Sequence, residues 1–176
     1  VVFAEEGSEE AALLHETAWT QPALFAFEAS VAVLLRSRGV TPSLFLGHSI
    51  GELVGAYLAG VFSLEGAARV VAARGRLMQG CDPGGAMASL QATEEEVRAL
   101  VSAEQGRVDI AGINGPRQTV ISGDADAVES IAAAMEAQGR KVARLKVSHA
   151  FHSAHMDGML EAFREVLKTC TLRAPT

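Results

Sequence analysis

A serine between two glycines has the sequence context of a catalytic nucleophile. The motif Gly47-His-Ser-Ile-Gly51 follows an apolar run at 43–46 and precedes a periodic apolar stretch at 52–59. Strand, G-x-S-x-G and helix in this order indicate a nucleophile elbow, in which Ser49 is exposed at the tip of a strand. Helix amides behind the serine are placed to stabilise an oxyanion on an attacked carbonyl.

An inert serine in a tight strand-to-helix turn is the alternative interpretation of this motif. In either case both glycines are expected, because backbone passes close to backbone in so sharp a turn. His48 is adjacent to Ser49, so its side chain points the wrong way to take the hydroxyl proton easily. We therefore interpret His48 as a residue that lines a pocket.

Arg74 falls within the apolar stripe of a helix predicted over 64–79, with Ser63 as its cap. Arg69 and Arg76 fall on the opposite, solvent-facing side. An inward arginine needs a carboxylate, because its charge cannot be lost by deprotonation. That partner is either an internal Asp or Glu or the carboxylate of a substrate, held by the guanidinium fork. Spacing alone leaves both possibilities open.

Three of the five histidines lie three residues apart, at His149, His152 and His155. One of them is the natural base for Ser49, taking the hydroxyl proton on attack and returning it to the leaving group. A metal site is the alternative. Because helical spacing of i, i+3 and i+6 spreads three rings over a wide arc, and no acidic ligand is nearby, we predict no bound metal.

The elements that position these residues predict an α/β fold. A buried helix from Thr20, with Pro22 in its first turn, to Ser37 leads into the strand before the elbow. The order helix, strand, elbow, helix is typical of a hydrolase-like core with a parallel sheet. We assign residues 1–83 and 148–176 to this core, with a last helix over 154–168.

Residues 84–147 have a different pattern and are predicted to form a small inserted subdomain. Strands at 86–90, 108–113, 118–122 and 141–147 alternate with helices at 93–104 and 124–138. Thr93 and Glu96 are predicted to form a capping box at the start of the first of these helices. The order β-α-β-β-α-β is that of a ferredoxin-like unit. Asn114-Gly115 is predicted to be a turn. The basic run, Arg140, Lys141, Arg144 and Lys146, is interpreted as a solvated strand face, with a phosphate or carrier contact as the alternative.

Composition excludes several classes of function. A net charge of -6 argues against a nucleic-acid-binding surface, and no apolar run approaches the eighteen or so residues of a membrane span. Cys81 and Cys170 are far apart and form no motif, which indicates free thiols in a reducing compartment such as the cytoplasm.

Four segments together resemble a known family: Gly47-His-Ser-Ile-Gly-Glu52, Thr20-Gln-Pro-Ala-Leu24, Arg74-Gly75 and His149-Ala-Phe-His152. The chain is similar to the acyltransferase domain of modular type I polyketide synthases, which is related to malonyl-CoA:acyl carrier protein transacylase. The resemblance implies that Ser49 is the nucleophile and His152 the general base of a Ser-His dyad. It also implies the roles of other residues: Arg74 holds the extender unit's carboxylate, the Ile50 amide is an oxyanion donor, and His48 and Asn114 line the pocket.

The resemblance also implies a substrate. The motif His149-Ala-Phe-His152 resembles that of malonyl-selective members, whereas methylmalonyl-selective members tend to have Tyr-Ala-Ser-His. Phe151 would fill the space of an α-methyl group, and one methyl group is worth roughly 1–3 kcal/mol in an apolar pocket. Ile50 in the elbow also favours malonyl.

No bound cofactor is implied. The implied donor is malonyl-CoA, the implied acceptor is the phosphopantetheine thiol of an acyl carrier protein, and a ketosynthase domain is the expected neighbour. Family members also have an upstream Gly-Gln-Gly segment and a downstream segment that orients the histidine, and neither is present in this sequence. The alternatives are a serine esterase or thioesterase with the same elbow, or a non-catalytic docking module.

Overall fold

The computed structural model describes all residues from 1 to 176 and divides them into two compact units. Residues 1–80 and 161–176 form the first unit, and residues 81–160 form the second. The second unit therefore extends beyond the predicted insert at 84–147. It includes the histidine segment, residues 148–155, because hydrogen bonds from the small sheet hold that segment.

Helices build the first unit: α1 (Glu9–Ala12), α2 (Thr17–Ser37), α3 (Ile50–Leu58) and α4 (Leu64–Gln79). Helix α4 has the predicted bounds, and the Ser63 hydroxyl accepts a hydrogen bond from the Gly66 amide at its start. Helix α2 begins three residues earlier than predicted. Thr20 is not its cap, because the Thr20 hydroxyl lies inside the helix and donates to the Glu16 carbonyl.

The core of this unit lies where α2, α3 and α4 meet, around Phe25, Val54, Val70 and Val71. The predicted inward stripe of α4 is buried and Arg69 and Arg76 are exposed, as expected. The prediction that α2 is buried on most faces is wrong. Its buried residues are Gln21, Phe25 and Ala29, while Phe27, Leu34 and Leu35 are exposed.

Helix α2 is the segment whose length and composition bear on a membrane span. It has 21 residues, and an 18-residue window within it has a mean hydropathy of 1.3, so it is long and apolar enough to cross a bilayer by length and composition alone. The core helix of a water-soluble domain passes the same test. Glu28 interrupts the apolar residues of this helix, so the sequence has no continuous apolar run of that length.

Residues 43–46 do not form the predicted buried strand. They belong to no helix or strand, and Leu44 and Leu46 are 88% and 101% exposed. A strand requires backbone hydrogen bonds to a neighbour, and no segment of the first unit supplies them. The α/β class is nevertheless confirmed, with the sheet in the second unit.

The second unit has the predicted ferredoxin-like order: β1 (Gly85–Leu90), α5 (Glu94–Ala103), β2 (Val108–Gly115), β3 (Gln118–Asp124), α6 (Ala125–Ala137) and β4 (Val142–Arg144). The sheet order is β2-β3-β1-β4, with every neighbouring pair antiparallel. The predicted capping box of Thr93 and Glu96 opens α5. Strand β2 continues through Asn114, and Gly115 pairs with Gln118, so the hairpin turn lies two residues later than predicted.

The basic run near β4 is largely neutralised by glutamates. Arg144 pairs with Glu129 and Glu136, at 2.6 and 2.7 Å, and Arg140 pairs with Glu96 at 2.6 Å. These pairs agree with a solvated strand face.

The chain then continues through a 3₁₀ helix at Ala154–Met159 into α7 (Leu160–Lys168), where a single α-helix was predicted. Phe163 and Leu167 pack against the core of the first unit, to which most of α7 belongs.

Acid should destabilise the second unit through its surface carboxylates. Hydrogen bonds from Arg144 lower the pKa values of Glu129 and Glu136, and those from His155 and then Arg107 lower the pKa of Asp124. Each folded pKa is thus below the unfolded value of about 4. The stabilisation is therefore present above that pH and is lost as pH falls through the folded pKa.

We expect amide hydrogen exchange in β1 and β3 to accelerate below about pH 4, after correction for intrinsic rates. Arg144→Met should reduce this pH dependence, because it removes the cause of two of the shifts. An identical pH dependence in the two proteins would contradict the explanation.

Candidate active site

Ser49 has the strained backbone of a nucleophile elbow. It precedes α3 with φ 53° and ψ −110°, in a region that costs a non-glycine residue about 1–3 kcal/mol. The Gly51 amide donates to the His48 carbonyl at 2.9 Å, and the Glu52 amide donates to the Ser49 carbonyl at 3.1 Å. These bonds close the turn. Ile50 is the first residue of α3, where an amide has no partner within the helix.

The two glycines of the elbow have different reasons to be glycine. A Cβ at Gly47 would lie 2.1 Å from the Glu52 nitrogen and 2.2 Å from the Gly51 oxygen, so no side chain fits there. A Cβ at Gly51 would lie 3.6 Å from a Glu28 carboxylate oxygen, which is an ordinary contact. The expectation that both glycines are required by close backbone approach holds for Gly47 and is wrong for Gly51.

Arg74 turns toward the serine and not toward an internal acid. One terminal nitrogen, Nη2, donates to the Ser49 hydroxyl oxygen at 3.1 Å, and Nη1 donates to Gln21 Oε1 at 2.5 Å. Burial lowers the pKa of Arg74, and the negative charge of Glu52 partly opposes the shift. No carboxylate lies within ion-pair distance of Arg74 in the structure. The interpretation of Arg74 as half of a structural ion pair is therefore wrong.

Gln21 is a site residue that sequence reasoning missed. Only 5% of it is exposed, and its Nε2 donates to Thr17 Oγ1 at 2.8 Å and contacts Met78 Sδ at 3.2 Å. These contacts orient the amide so that its oxygen faces Arg74. The available signal was a polar residue one turn before Phe25 on the buried face of α2. The segment Thr20-Gln-Pro22 was interpreted as a helix start and as part of the family resemblance, and no role was assigned to Gln21.

The histidine segment lies in the second unit and its three rings have different surroundings. His149 is buried and contacts the Cys81 carbonyl through Nε2 at 3.0 Å and the Ser148 hydroxyl through Nδ1 at 2.7 Å. His155 contacts Asp124 through Nε2 at 2.8 Å. His152 is exposed at the turn and has φ 60°. Protein groups thus engage the rings of His149 and His155, and no cluster in the chain has the ligands for a metal ion.

The remaining predicted site residues are more dispersed. Phe151 is half-buried, with its ring centroid 5.8 Å from that of His149. Asn114 is exposed near the end of β2. His48 is exposed and borders a cleft of about 410 Å³ with Phe27 and Leu46, and neither Ser49 nor Arg74 lines that cleft. The structure therefore groups Ser49, Arg74 and Gln21 in the first unit, and His149, Phe151 and His152 in the second.

The family model for the acyl transferase domain matches residues 5–176, nearly the whole chain. The chain belongs to the acyl transferase domain family. Its relatives are polyketide synthases: it is 55% identical over 176 residues to polyketide synthase GfsA of Streptomyces halstedii, and 54% identical over 164 residues to mycoketide-CoA synthase of Mycobacterium tuberculosis. These matches cover 99% and 93% of the chain, but only 2% and 4% of the two synthases.

Solved acyltransferase domains have the same fold. The domain from the second module of the salinomycin polyketide synthase is 52% identical, with a TM-score of 0.89 over 96% of this chain and 40% of that one. A malonyl CoA-acyl carrier protein transacylase from Clostridium perfringens is 28% identical, with a TM-score of 0.88 over 96% of this chain and 55% of that one. The acyltransferase domain described here thus spans about half, or less, of these solved chains.

The unequal glycines of the elbow give a direct test of its geometry. Gly47→Ala should distort the turn or destabilise the domain by about 1–3 kcal/mol, because the methyl group overlaps backbone atoms. Gly51→Ala is the matched control within the same motif. It should be tolerated, because the space is free and alanine favours a helix.

Thermal unfolding, and labelling of Ser49 with a fluorophosphonate, measure the two effects. Equal melting temperatures and labelling rates for the two variants would show that the described close approach at Gly47 is wrong.

Proposed function

We propose that this acyltransferase domain transfers a malonyl group from malonyl-CoA to the phosphopantetheine thiol of an acyl carrier protein. The observation that carries the proposal is the contact of Arg74 with the Ser49 hydroxyl, without any carboxylate partner for the arginine. A half-buried cation beside a nucleophile favours acyl groups that bring their own negative charge. Malonyl has such a charge, and acetyl does not.

The first step forms an ester on Ser49. His152 takes the proton of the Ser49 hydroxyl as its oxygen attacks the thioester carbonyl, and the Ile50 amide donates to the resulting oxyanion. When the C–S bond breaks, His152 gives the proton to the departing thiolate, and free coenzyme A leaves. The product is a malonyl-serine ester.

The second step reverses the chemistry with a different thiol. His152 takes the proton of the carrier's phosphopantetheine thiol, the sulfur attacks the serine ester, and the proton returns to the Ser49 oxygen as the C–O bond breaks. The Clostridium perfringens structure is described as a malonyl CoA-acyl carrier protein transacylase, which supports a carrier protein as acceptor here. A ketosynthase is the expected consumer of the loaded carrier.

Arg74 would hold the malonyl carboxylate during both steps. Its planar fork presents two parallel donors to a carboxylate. Because Gln21 already fixes Nη1, less rotational freedom is lost when the substrate binds. Holding the positive charge of Arg74 in this half-buried position costs free energy, and a bound malonyl carboxylate would offset that cost.

A serine hydrolase is the second candidate, favoured by one observation. The contact between His155 and Asp124 is an imidazole–carboxylate pair of the kind used in hydrolase triads. However, Asp124 engages Nε2 of that ring, whereas a triad carboxylate engages Nδ1 and leaves Nε2 for the serine. This geometry argues against a triad built on His155, and the proposal keeps His152 as the base. A hydrolase would turn over its acyl-serine in water, whereas a transferase would retain it until a carrier thiol arrives.

Mass spectrometry of the complete gene product after exposure to malonyl-CoA or acetyl-CoA tests the function. We expect a malonyl adduct on Ser49 that is absent from Ser49→Ala and is discharged by a carrier thiol. Arg74→Ala should lower malonyl loading roughly 10- to 100-fold and raise the relative use of acetyl-CoA, because a charged hydrogen bond is lost. Arg76→Ala, exposed on the same helix, is the matched control.

An unchanged malonyl-to-acetyl ratio in Arg74→Ala would remove the clamp from the proposal. Absence of any adduct on the native protein would favour a docking module without catalysis.

Selection against methylmalonyl is assigned to Phe151. Phe151→Ser, with Ala150 kept, should increase loading from methylmalonyl-CoA relative to malonyl-CoA by up to about 100-fold, the discrimination that one methyl group supplies. Competition between the two donors, read by the mass of the adduct, measures this ratio. Phe163→Ser, in α7, should not change it, and a constant ratio in Phe151→Ser would contradict the steric explanation.

A further inference from the structure

We propose that His155 and Asp109 are positioning residues that hold the turn carrying His152. Each takes part in one hydrogen bond between that turn and the small sheet. This inference rests on the proposed function, in which His152 is the base. Neither residue belongs to the motifs that resemble the family's active site. Both bonds join the histidine segment to strand residues of the same unit.

The backbone at His152 needs external support. Its φ of 60° is in the left-handed region, which costs a non-glycine residue about 1–3 kcal/mol and persists where surrounding contacts determine it. His152 is also exposed, so its own burial does not supply that support. The residues on both sides of it contribute such support.

On the amino-terminal side, the turn is held by packing. Ala150 is fully buried against β1, where a Cβ at Gly85 would lie 2.3 Å from the Ala150 Cβ. His149 is fixed by its contact with the Cys81 carbonyl. This side therefore cannot move without exposing Ala150 and breaking the contact of His149.

On the carboxyl-terminal side, the turn is held by hydrogen bonds. The Ala154 amide donates to Asp109 Oδ2, on β2, at 3.1 Å. The His155 ring contacts Asp124, at the end of β3, at 2.8 Å. Arg107 donates to the other oxygen of Asp124 at 3.0 Å and so fixes the carboxylate that receives His155.

The sheet register brings together the strand residues to which the two sides of the turn are attached. Gly85, which contacts Ala150, pairs directly with Asp124, which contacts His155. Residues 150 and 155 are thus attached to partners on neighbouring strands, and His152 lies in the short span between them. Loss of one attachment would release the carboxyl-terminal side while the amino-terminal side remains packed.

The test compares paired variants in the complete gene product, scored by the rate of malonyl-serine formation. His155→Leu removes the donor, whereas His155→Gln keeps a donor nitrogen near the position of Nε2. Asp109→Ala removes the acceptor of the second anchor, and Asp109→Asn keeps it. Glu129→Gln, which breaks an ion pair of Arg144 on α6, is the control for a lost surface contact.

We expect His155→Leu and Asp109→Ala to lower the maximal acylation rate on the order of tenfold or more, because a catalytic group misplaced by about 1 Å costs up to a hundredfold. The KM for malonyl-CoA should change less than the rate. His155→Gln and Asp109→Asn should regain most of the native rate, and Glu129→Gln should retain it.

Other results overturn the inference. Native rates in both His155→Leu and Asp109→Ala would show that the anchors are not needed. If the Gln and Asn variants are as slow as the Leu and Ala variants, or if all four lose rate only in proportion to lost folded protein, the residues serve packing and not positioning. A His155→Gln protein without activity would instead favour His155 as the base. His152→Ala tests the proposed function separately, since native acylation in that variant would remove His152 as the base whatever the anchors do.

Discussion

The hydrogen bonds of Arg74 are the interaction on which the rest of the site depends. A guanidinium taken partly out of water without an acid is costly, and burial accordingly lowers its pKa. The first unit compensates with neutral acceptors, the Gln21 amide oxygen and the Ser49 hydroxyl. Neutral acceptors leave the positive charge available, whereas an internal Asp or Glu would have cancelled it. If the site served stability alone, an internal Asp or Glu beside Arg74 would be expected.

Backbone strain marks the two residues that are proposed to react, Ser49 and His152. Ser49 and His152 are two of the three non-glycine residues with positive φ in the chain, and the third, Gln105, lies in an exposed turn. Each strained position is braced differently. Helix α3 and the close approach at Gly47 brace Ser49, whereas β1, β2 and β3 brace the segment around His152. Strain held by its surroundings keeps a side chain in one orientation, which is what a reacting group needs.

Local signals explain which parts of the structure the sequence predicted well. The capping boundaries of α4, the capping box of α5 and the β-α-β-β-α-β order depend on residues close in sequence, and they are confirmed. The strand at 43–46 and the burial of α2 depend on partners that the pattern cannot supply, and both predictions were wrong. Gln21 was missed for a related reason, since its role comes from Arg74, 53 positions later.

The four successive residues of the histidine motif, 149–152, have four different physical environments. His149 is buried with both ring nitrogens engaged, so it supports the histidine segment. Ala150 must be small because of Gly85. Phe151 packs beside the His149 ring but stays partly exposed, which leaves its size available for selecting a substrate. His152 alone is exposed at the turn. A change at the first two positions should therefore act through structure, and a change at the last two through chemistry, although all four belong to one motif.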